Sequence, residues 1–446
     1  MAKADKAISI IPYEKQPHPL PGNWCWVSVD SINQYKSGSI DPTKQPDSLF
    51  ELYSVPSSTN DYPEIVLGSE VGSTKQTVEK GDVLLCKINP RINRVWKVTQ
   101  HTNNTLLASS EWIIIRNRVI NPDYLMYCFK SPYFREYMLS NVSGVGGSLM
   151  RAQPKYVKNY PIPLPPLAEQ HRIVSRIESL FAKLDEAKEN AQAVVDGFDD
   201  RKAAILTKGI LGDLTDTWRQ NNGLDRNKWR TVNLSEVCQL QTGIMKGKHF
   251  QTETIMMPYL RVANVQDGFL NLQEIKIIEV EKSNFQRYLL QDGDVLFTEG
   301  GDYDKLGRGT VWHCEIPDCL HQNHVFVVRP VKDILISEYL SYQAGSQYGK
   351  RYFLSCSKQT TNLASINSTQ LKQFPTLIPS LAEQKEIVYV IDRYINKEQR
   401  AKEAAEQIIS QIDIMKKSIL ARAFRGELGT NDPSDKSAEE LLKQIL

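Results

Sequence analysis

Residues 163–174 read PLPPLAEQHRIV, and residues 378–388 read IPSLAEQKEIV. The same passage is written twice, 214 residues apart, and this echo decides the fold. At that offset Leu149 aligns with Leu363, Pro161 with Pro375, Ile177 with Ile391, Ala187-Lys188-Glu189 with Ala401-Lys402-Glu403, and Gly212 with Gly426. Upstream the offset slips but the likeness persists. Gly81-Asp82-Val83-Leu84 answers Gly293-Asp294-Val295-Leu296, and Trp24, Val27 and Gly38 answer Trp229, Val232 and Gly243. The chain reads as two copies of one unit, each a variable part of roughly 150 residues and a similar part of roughly 50, a period too long for a solenoid.

The similar part is a helix. Pro165, Pro166 and Pro379 stop anything helical before it. Ser380 and Glu383 have the spacing of a capping box. Steps of four and three from Ile173 pass Ile177, Leu180, Leu184, Ala187, Ala191, Val194, Phe198, Arg201 and Ile205. From Ile387 they pass Ile391, Tyr394, Glu398, Ala401, Ala405, Ile408, Ile412, Met415 and Ile419. Nine of ten positions are apolar in each stripe, the signature of a coiled coil. The expected helix–helix core is Ile173, Ile177, Leu180, Leu184, Val194 and Phe198 against Ile387, Ile391, Ile408, Ile412 and Met415. Rods of about 60 Å paired antiparallel would hold the two variable parts apart.

The expected organisation is an N-terminal tail (1–18), a first variable domain (19–160), a first helix (161–213), a second variable domain (214–375), a second helix (376–430) and a C-terminal tail (431–446). Short apolar runs and helical stretches make each variable domain mixed α/β. Their loops are rich in side chains that pair with base edges and phosphates. In the first these are Lys75, Gln76, Lys87, Asn89, Arg91, Asn93 and Arg94. In the second they are Gln241, Lys246, Lys248, Arg261, Asn264, Thr298, Lys305, Arg308, Lys358 and Thr360.

The totals exclude more than they reveal. A net charge of +2 gives no global basic field. No apolar run is long enough to span a membrane, and no secretory leader is visible, which suits a cytoplasmic protein. Seven scattered cysteines suit reduced thiols. There is no phosphate-binding loop, no HExxH and no Asn/Asp-Pro-Pro-aromatic motif of amino-methyltransferases, so no catalytic residue is assigned. His313, Cys314, Cys319, His321 and His324 crowd five zinc-type donors together. The first copy lacks them, so a hydrogen-bonded strand edge is expected there and no metal.

LPGNWCWVSV (20–29), IPLPPLAEQHRIV (162–174), AILTKGILGDLTDTWR (204–219), GDVLFTEGGDYDKLGRG (293–309), HQNHVF (321–326), IPSLAEQKEIV (378–388) and SILARAFRGEL (418–428) resemble, in order, the specificity (S) subunit of Type I restriction-modification enzymes. The second copy departs with Pro-Ser for Pro-Pro, and the first has GILGDL for FRGEL. The resemblance implies two target-recognition domains and two antiparallel helices. Each domain would read half of a bipartite asymmetric site in double-stranded DNA. The helices would set the gap and dock two methyltransferase (M) subunits. It also implies a noncatalytic chain with no cofactor of its own. S-adenosylmethionine would be held by the M subunits, and ATP and Mg by two restriction (R) subunits. A coiled-coil interaction scaffold without DNA specificity is the alternative.

Overall fold

The computed structural model describes residues 10–144, 150–245, 252–301, 306–307, 309–359 and 364–445. Its longer helices are α1 (Pro122–Lys130), α2 (Pro132–Ser140), α3 (Leu167–Asp196), α4 (Phe198–Ile210), α5 (Ser337–Gly345), α6 (Gln347–Cys356), α7 (Leu381–Ala423) and α8 (Ala438–Ile445). Two compact units form: Met1–Ala191 with Gln407–Leu446, and Gln192–Glu406. The division therefore cuts through the long helices rather than at their ends: Ile387 and Ile391 of α7 belong to the core of the second unit, and Leu420 and Ala423 to that of the first.

Each unit is built around the repeated passage. In the first, strand Cys25–Ser28 pairs antiparallel with Pro161–Leu164; in the second, Arg230–Asn233 pairs with Pro375–Ile378. The chain then turns at proline into the long helix, where a glutamine closes the joint. Gln170 donates to the Pro165 carbonyl at 3.0 Å and accepts from Asn121 N at 2.9 Å. Gln384 donates to the carbonyls of Pro379 (3.0 Å) and Ile334 (2.8 Å) and accepts from Ile336 N (2.9 Å). Both are wholly buried. The neighbouring glutamates are buried too. Glu169 takes Arg172 and Thr430, and Glu383 takes Arg219 and Trp229. Ser380 Oγ caps the helix by accepting from Glu383 N at 3.2 Å. The Glu383 carboxylate is spent on Arg219 instead of reaching back, so only half of the expected capping box forms.

The heads are mixed α/β, as expected. The first has a five-stranded sheet with Leu49–Tyr53 parallel to Thr105–Ala108, and a three-stranded sheet centred on Val83–Cys86. The second has a four-stranded sheet containing Val295–Thr298 and a three-stranded one centred on Thr254–Leu260. The repeated Gly-Asp-Val-Leu opens the equivalent strand in each. Asp82 receives a two-pronged guanidinium from Arg116 at 2.7 and 2.6 Å, and Asp294 receives Arg329 at 2.7 and 2.7 Å. Such buried pairs fix a unique arrangement more than they add net stability.

The long helices run antiparallel within each unit. In the first, Lys188 meets Asp413 at 3.9 Å, and Lys416 meets Asp185 and the Phe181 ring. In the second, Arg201 meets Glu398 at 2.6 Å and Lys402 lies 4.8 Å over the Phe198 ring. The expected stripe is half right. Ile173, Ile177, Ile387 and Ile391 are fully buried, but within the cores of the heads. Phe198 and Ile412 are buried on the seam, whereas Leu180, Leu184 and Val194 are half-buried. Ile408 and Met415 are 47% and 45% exposed. The covered face of α7 keeps a seven-residue spacing but in another phase: after Ile391 it takes the fourth residue and passes Ile395, Lys402, Ile409 and Lys416 instead of Tyr394, Ala401, Ile408 and Met415. The first rod is also interrupted at Gly197, between α3 and α4. Arg201 folds back there to donate to the Val194 carbonyl at 2.7 Å, and a Cβ on Gly197 would stand 2.5 Å from that guanidinium.

Neither expected tail is loose where it is described. Ile11 N donates to the Trp26 carbonyl at 2.9 Å, and His18 lies edge-on to Trp26. Helix α8 buries Ala438, Leu441, Leu442 and Ile445 in the core of the first unit, with Ala438 N on the Asn23 carbonyl at 2.9 Å. Leu442→Ala is therefore expected to cost about 2–5 kcal/mol in urea unfolding; an unchanged midpoint would show that α8 is dispensable.

Candidate nucleic-acid interface

In the first head the chain leaves strand Val83–Cys86 and makes two tight turns, at Asn89 (φ 45°) and Asn93 (φ 55°). Asparagine visits this left-handed region more readily than other residues with a Cβ. The loop is stitched to the hairpin formed by Val142–Ser143 and Arg151–Ala152. Asn89 N donates to the Met150 carbonyl and Ala152 N to the Lys87 carbonyl, each at 2.8 Å. Lys87 N donates to Glu111 O, Arg151 pairs with the Glu111 carboxylate at 3.2 Å, and Arg135 donates to the Arg91 carbonyl. Lys87, Asn89, Arg91, Asn93 and Arg94 are thus brought together with Glu111, Arg135 and Arg151.

Five polar atoms here are buried with no hydrogen-bond partner among the described residues: Asn89 Oδ1, Asn93 Oδ1, Arg94 Nε, Glu111 Oε2 and Arg135 Nε. Each such atom costs about 1–3 kcal/mol unless water or a ligand satisfies it. Their concentration marks this loop as a prepared polar surface. The sequence reading missed Glu111, Arg135 and Arg151, which come from segments far apart in the chain and carry no local signal.

Lys75 and Gln76 lie on the strand Lys75–Thr77. Lys75 Nζ donates to Ser73 Oγ at 2.6 Å, and Gln76 donates to the carbonyls of Ser109 and Trp112, both at 3.0 Å. Gln76 is thereby committed to the fold.

In the second head the same arrangement recurs in backbone. Strand Gly300–Gly301 pairs with Ala364–Ser365, which pairs with Lys358–Gln359. Lys246, Lys248, Lys305, Arg308 and Thr360 lie outside the described residues. Arg261 is half-buried and pairs with Glu274 at 3.1 Å. Two of the expected residues are buried. Thr298 is fully buried, and Asn264 is 3% exposed, holding its turn through Arg261 N, Asn271 O and Glu274 O. Thr298 Oγ1 has no hydrogen-bond partner among the described residues. Gln241 is half-buried at its strand's end, and its Nε2 has no partner among the described residues.

The His/Cys cluster is dispersed. His321 and Cys319 are buried, Cys314 is exposed, and His324 pairs with Glu299. Among the described residues no group of three or more His, Cys, Asp or Glu is arranged to hold a metal ion. None of the described helices is long and apolar enough to cross a membrane.

Comparison with known proteins accords with this geometry. A family model described as Type I restriction modification DNA specificity domain matches residues 21–194 and again 226–408. The Type I restriction enzyme EcoKI specificity subunit of Escherichia coli K12 is 26% identical over 314 residues, 70% of this chain and 66% of that protein. The StySPI specificity subunit of Salmonella potsdam is 25% identical over 313 residues, again 70% and 66%. The match thus spans just under two thirds of these relatives. The crystal structure of the HsdS subunit from Thermoanaerobacter tengcongensis shares the fold, with a TM-score of 0.65 at 22% identity over 92% of this chain and 99% of that one. A chain from work on complex assembly and conformational transition of the type I R-M system gives 0.66 at 23%, over 92% and 100%.

Burial pushes the His321 imidazole down to about 4, against the opposing pull of its hydrogen bond to the Val325 carbonyl. Unfolded, it titrates near 6.5. Between these values the unfolded chain binds a proton that the folded chain refuses. Stability of the second unit should therefore fall as pH drops from about 6.5 toward 4, with His321 contributing about 1.4 kcal/mol per pH unit. His321→Gln should remove that slope in urea melts. Parallel curves for the two proteins would contradict it.

Proposed function

The chain belongs to the family of Type I restriction-modification DNA specificity domains, and on that premise we propose that it is the noncatalytic, sequence-specific DNA-binding subunit of a Type I restriction-modification complex. The observation that carries this reading is the double occurrence of one head, each with a loop-and-hairpin edge beside its Gly-Asp-Val-Leu strand. In the first head that edge gathers Lys87, Asn89, Arg91, Arg94, Arg135 and Arg151, with several polar atoms left for a ligand.

Each head reads one half of a bipartite, asymmetric site. Because the loops differ between copies, the halves differ in sequence. Arginine and asparagine address base edges while lysine and arginine hold phosphates. The long helices set the gap. One turn of duplex rises about 34–36 Å, and the 43 residues of α7 run about 65 Å. Rigid linkage lets the second head bind at high effective concentration. The helices also dock two methyltransferase subunits, which hold S-adenosylmethionine and whose surfaces supply positive charge that a chain of net +2 lacks. Two restriction subunits complete the assembly with ATP and Mg. The complex works in the cytoplasm.

The test is to map DNA methylation in a host carrying this chain with its methyltransferase subunit. One split motif is expected, and exchanging residues 19–160 for another head should change one half of it only. Methylation without a sequence motif would favour a scaffold role instead. Inserting four residues after Ala191 lengthens the rod by about 6 Å. The preferred gap should then grow by about one or two base pairs, at about 3.4 Å each, with both half-sites fixed. An unchanged gap would refute the spacer role.

A further inference from the structure

A polar groove of about 430 Å³ opens in the second head, between the strand Cys238–Gln241, the turn Phe285–Tyr288 and the short helix Ser368–Lys372. Gln239, Gln241, Arg287, Arg329, Ser368 and Lys372 line it, and no carboxylate does. The charge of Arg329 is answered by the buried Asp294. Arg287 and Lys372 are exposed and have no ion pair among the described residues. Arg287 is steadied at the rim, its guanidinium 5.8 Å from the Tyr288 ring centre. Gln241 Nε2 is buried and has no acceptor among the described residues. The lining therefore offers two free cations, a spare amide donor and a hydroxyl, a set suited to an anion with several oxygens.

The first head differs at the corresponding place. The register that aligns Trp24 with Trp229 puts Gln34 on Gln239. There the Gln34 amide is already spent on the Ile445 carbonyl of α8, at 3.1 Å. Arg116, the counterpart of Arg329, engages both Asp82 and Glu79. In the first copy the counterpart arginine faces two carboxylates, whereas no carboxylate lines the groove of the second.

We infer that this groove takes a phosphate of the DNA backbone, making it a positioning contact specific to the second head. It rests on the reading that the chain binds DNA. A phosphate contact carries no sequence information, so its loss weakens all duplexes alike and lowers the salt dependence.

The test measures fluorescence anisotropy of the chain, in complex with its methyltransferase subunits, against a duplex carrying the methylated motif and against a scrambled one, over a range of salt. The Arg287→Ala/Lys372→Ala double variant should lower the slope of log K against log salt by about two units, on both duplexes. Lys372→Arg in the Arg287 background should keep the slope of the parent. Both residues are exposed, and an unchanged melting curve will show that the variants fold. An unaltered slope overturns the inference. So does a loss confined to the motif duplex, which would make these base contacts. Equilibrium dialysis with inorganic phosphate forms a separate arm. Phosphate binding lost in the double variant with an unchanged DNA slope would assign the groove to a free anion and overturn it as well. If the unaltered complex shows no preference between the duplexes, the proposed function fails while the groove is still judged by its slope.

Discussion

A glutamine side chain, buried once in each copy, holds the long helix to its head. Gln170 and Gln384 are fully removed from solvent, yet an amide must have its donors and acceptor met or cost the fold about 1–3 kcal/mol. Both meet the demand with backbone groups from the proline turn before the helix and from the segment that leads into the following helix pair. No other residue type of that size offers a donor and an acceptor so placed. The Leu-Ala-Glu-Gln passage is written twice because the joint is built twice. The glutamate beside it carries a buried charge, which needs Arg172 in one copy and Arg219 in the other.

Beyond the joint the helices are held differently. Their seam is narrow in apolar area and laced with charge. Lys416 rests on Phe181 and reaches Asp185, while Lys402 rests on Phe198. Long cationic side chains cover ring faces with their stems while their heads stay wet. Arg201 fills the break at Gly197, satisfying a carbonyl and Glu398 together. Partly exposed pairs of this kind contribute little energy each. They fix direction and register instead.

Much of this was legible from residues alone. The duplication, the two long helices and the Gly-Asp-Val-Leu strands follow from the repeat and its punctuation. The seam beyond Ile391 was not, because two phases of the same 4-3 count are open there: the apolar one runs through Tyr394, Ile408 and Met415, while the covered one runs through Ile395, Ile409 and the stems of Lys402 and Lys416. Helix α8 was passed over as a tail, though Ala438, Leu441, Leu442 and Ile445 carry its apolar period. In the heads, residue type indicated Arg91, Arg94 and Lys87 but also Gln76, Asn264 and Thr298, whose side chains are turned inward. Gln76 is held by partners tens of residues away, the carbonyls of Ser109 and Trp112. Local sequence holds no record of that.

The claim beneath all of this is that each copy closes through its own glutamine joint, so that one chain carries two separately built heads. Amide hydrogen exchange on Gln384→Ala tests it most directly. Protection should fall at the start of α7 and around Ile334–Ile336 and Pro375–Ile378, while the first turn of α3 and the strand Cys25–Ser28 stay protected as in the unaltered protein. Loss of protection in both places, or in neither, would contradict the account.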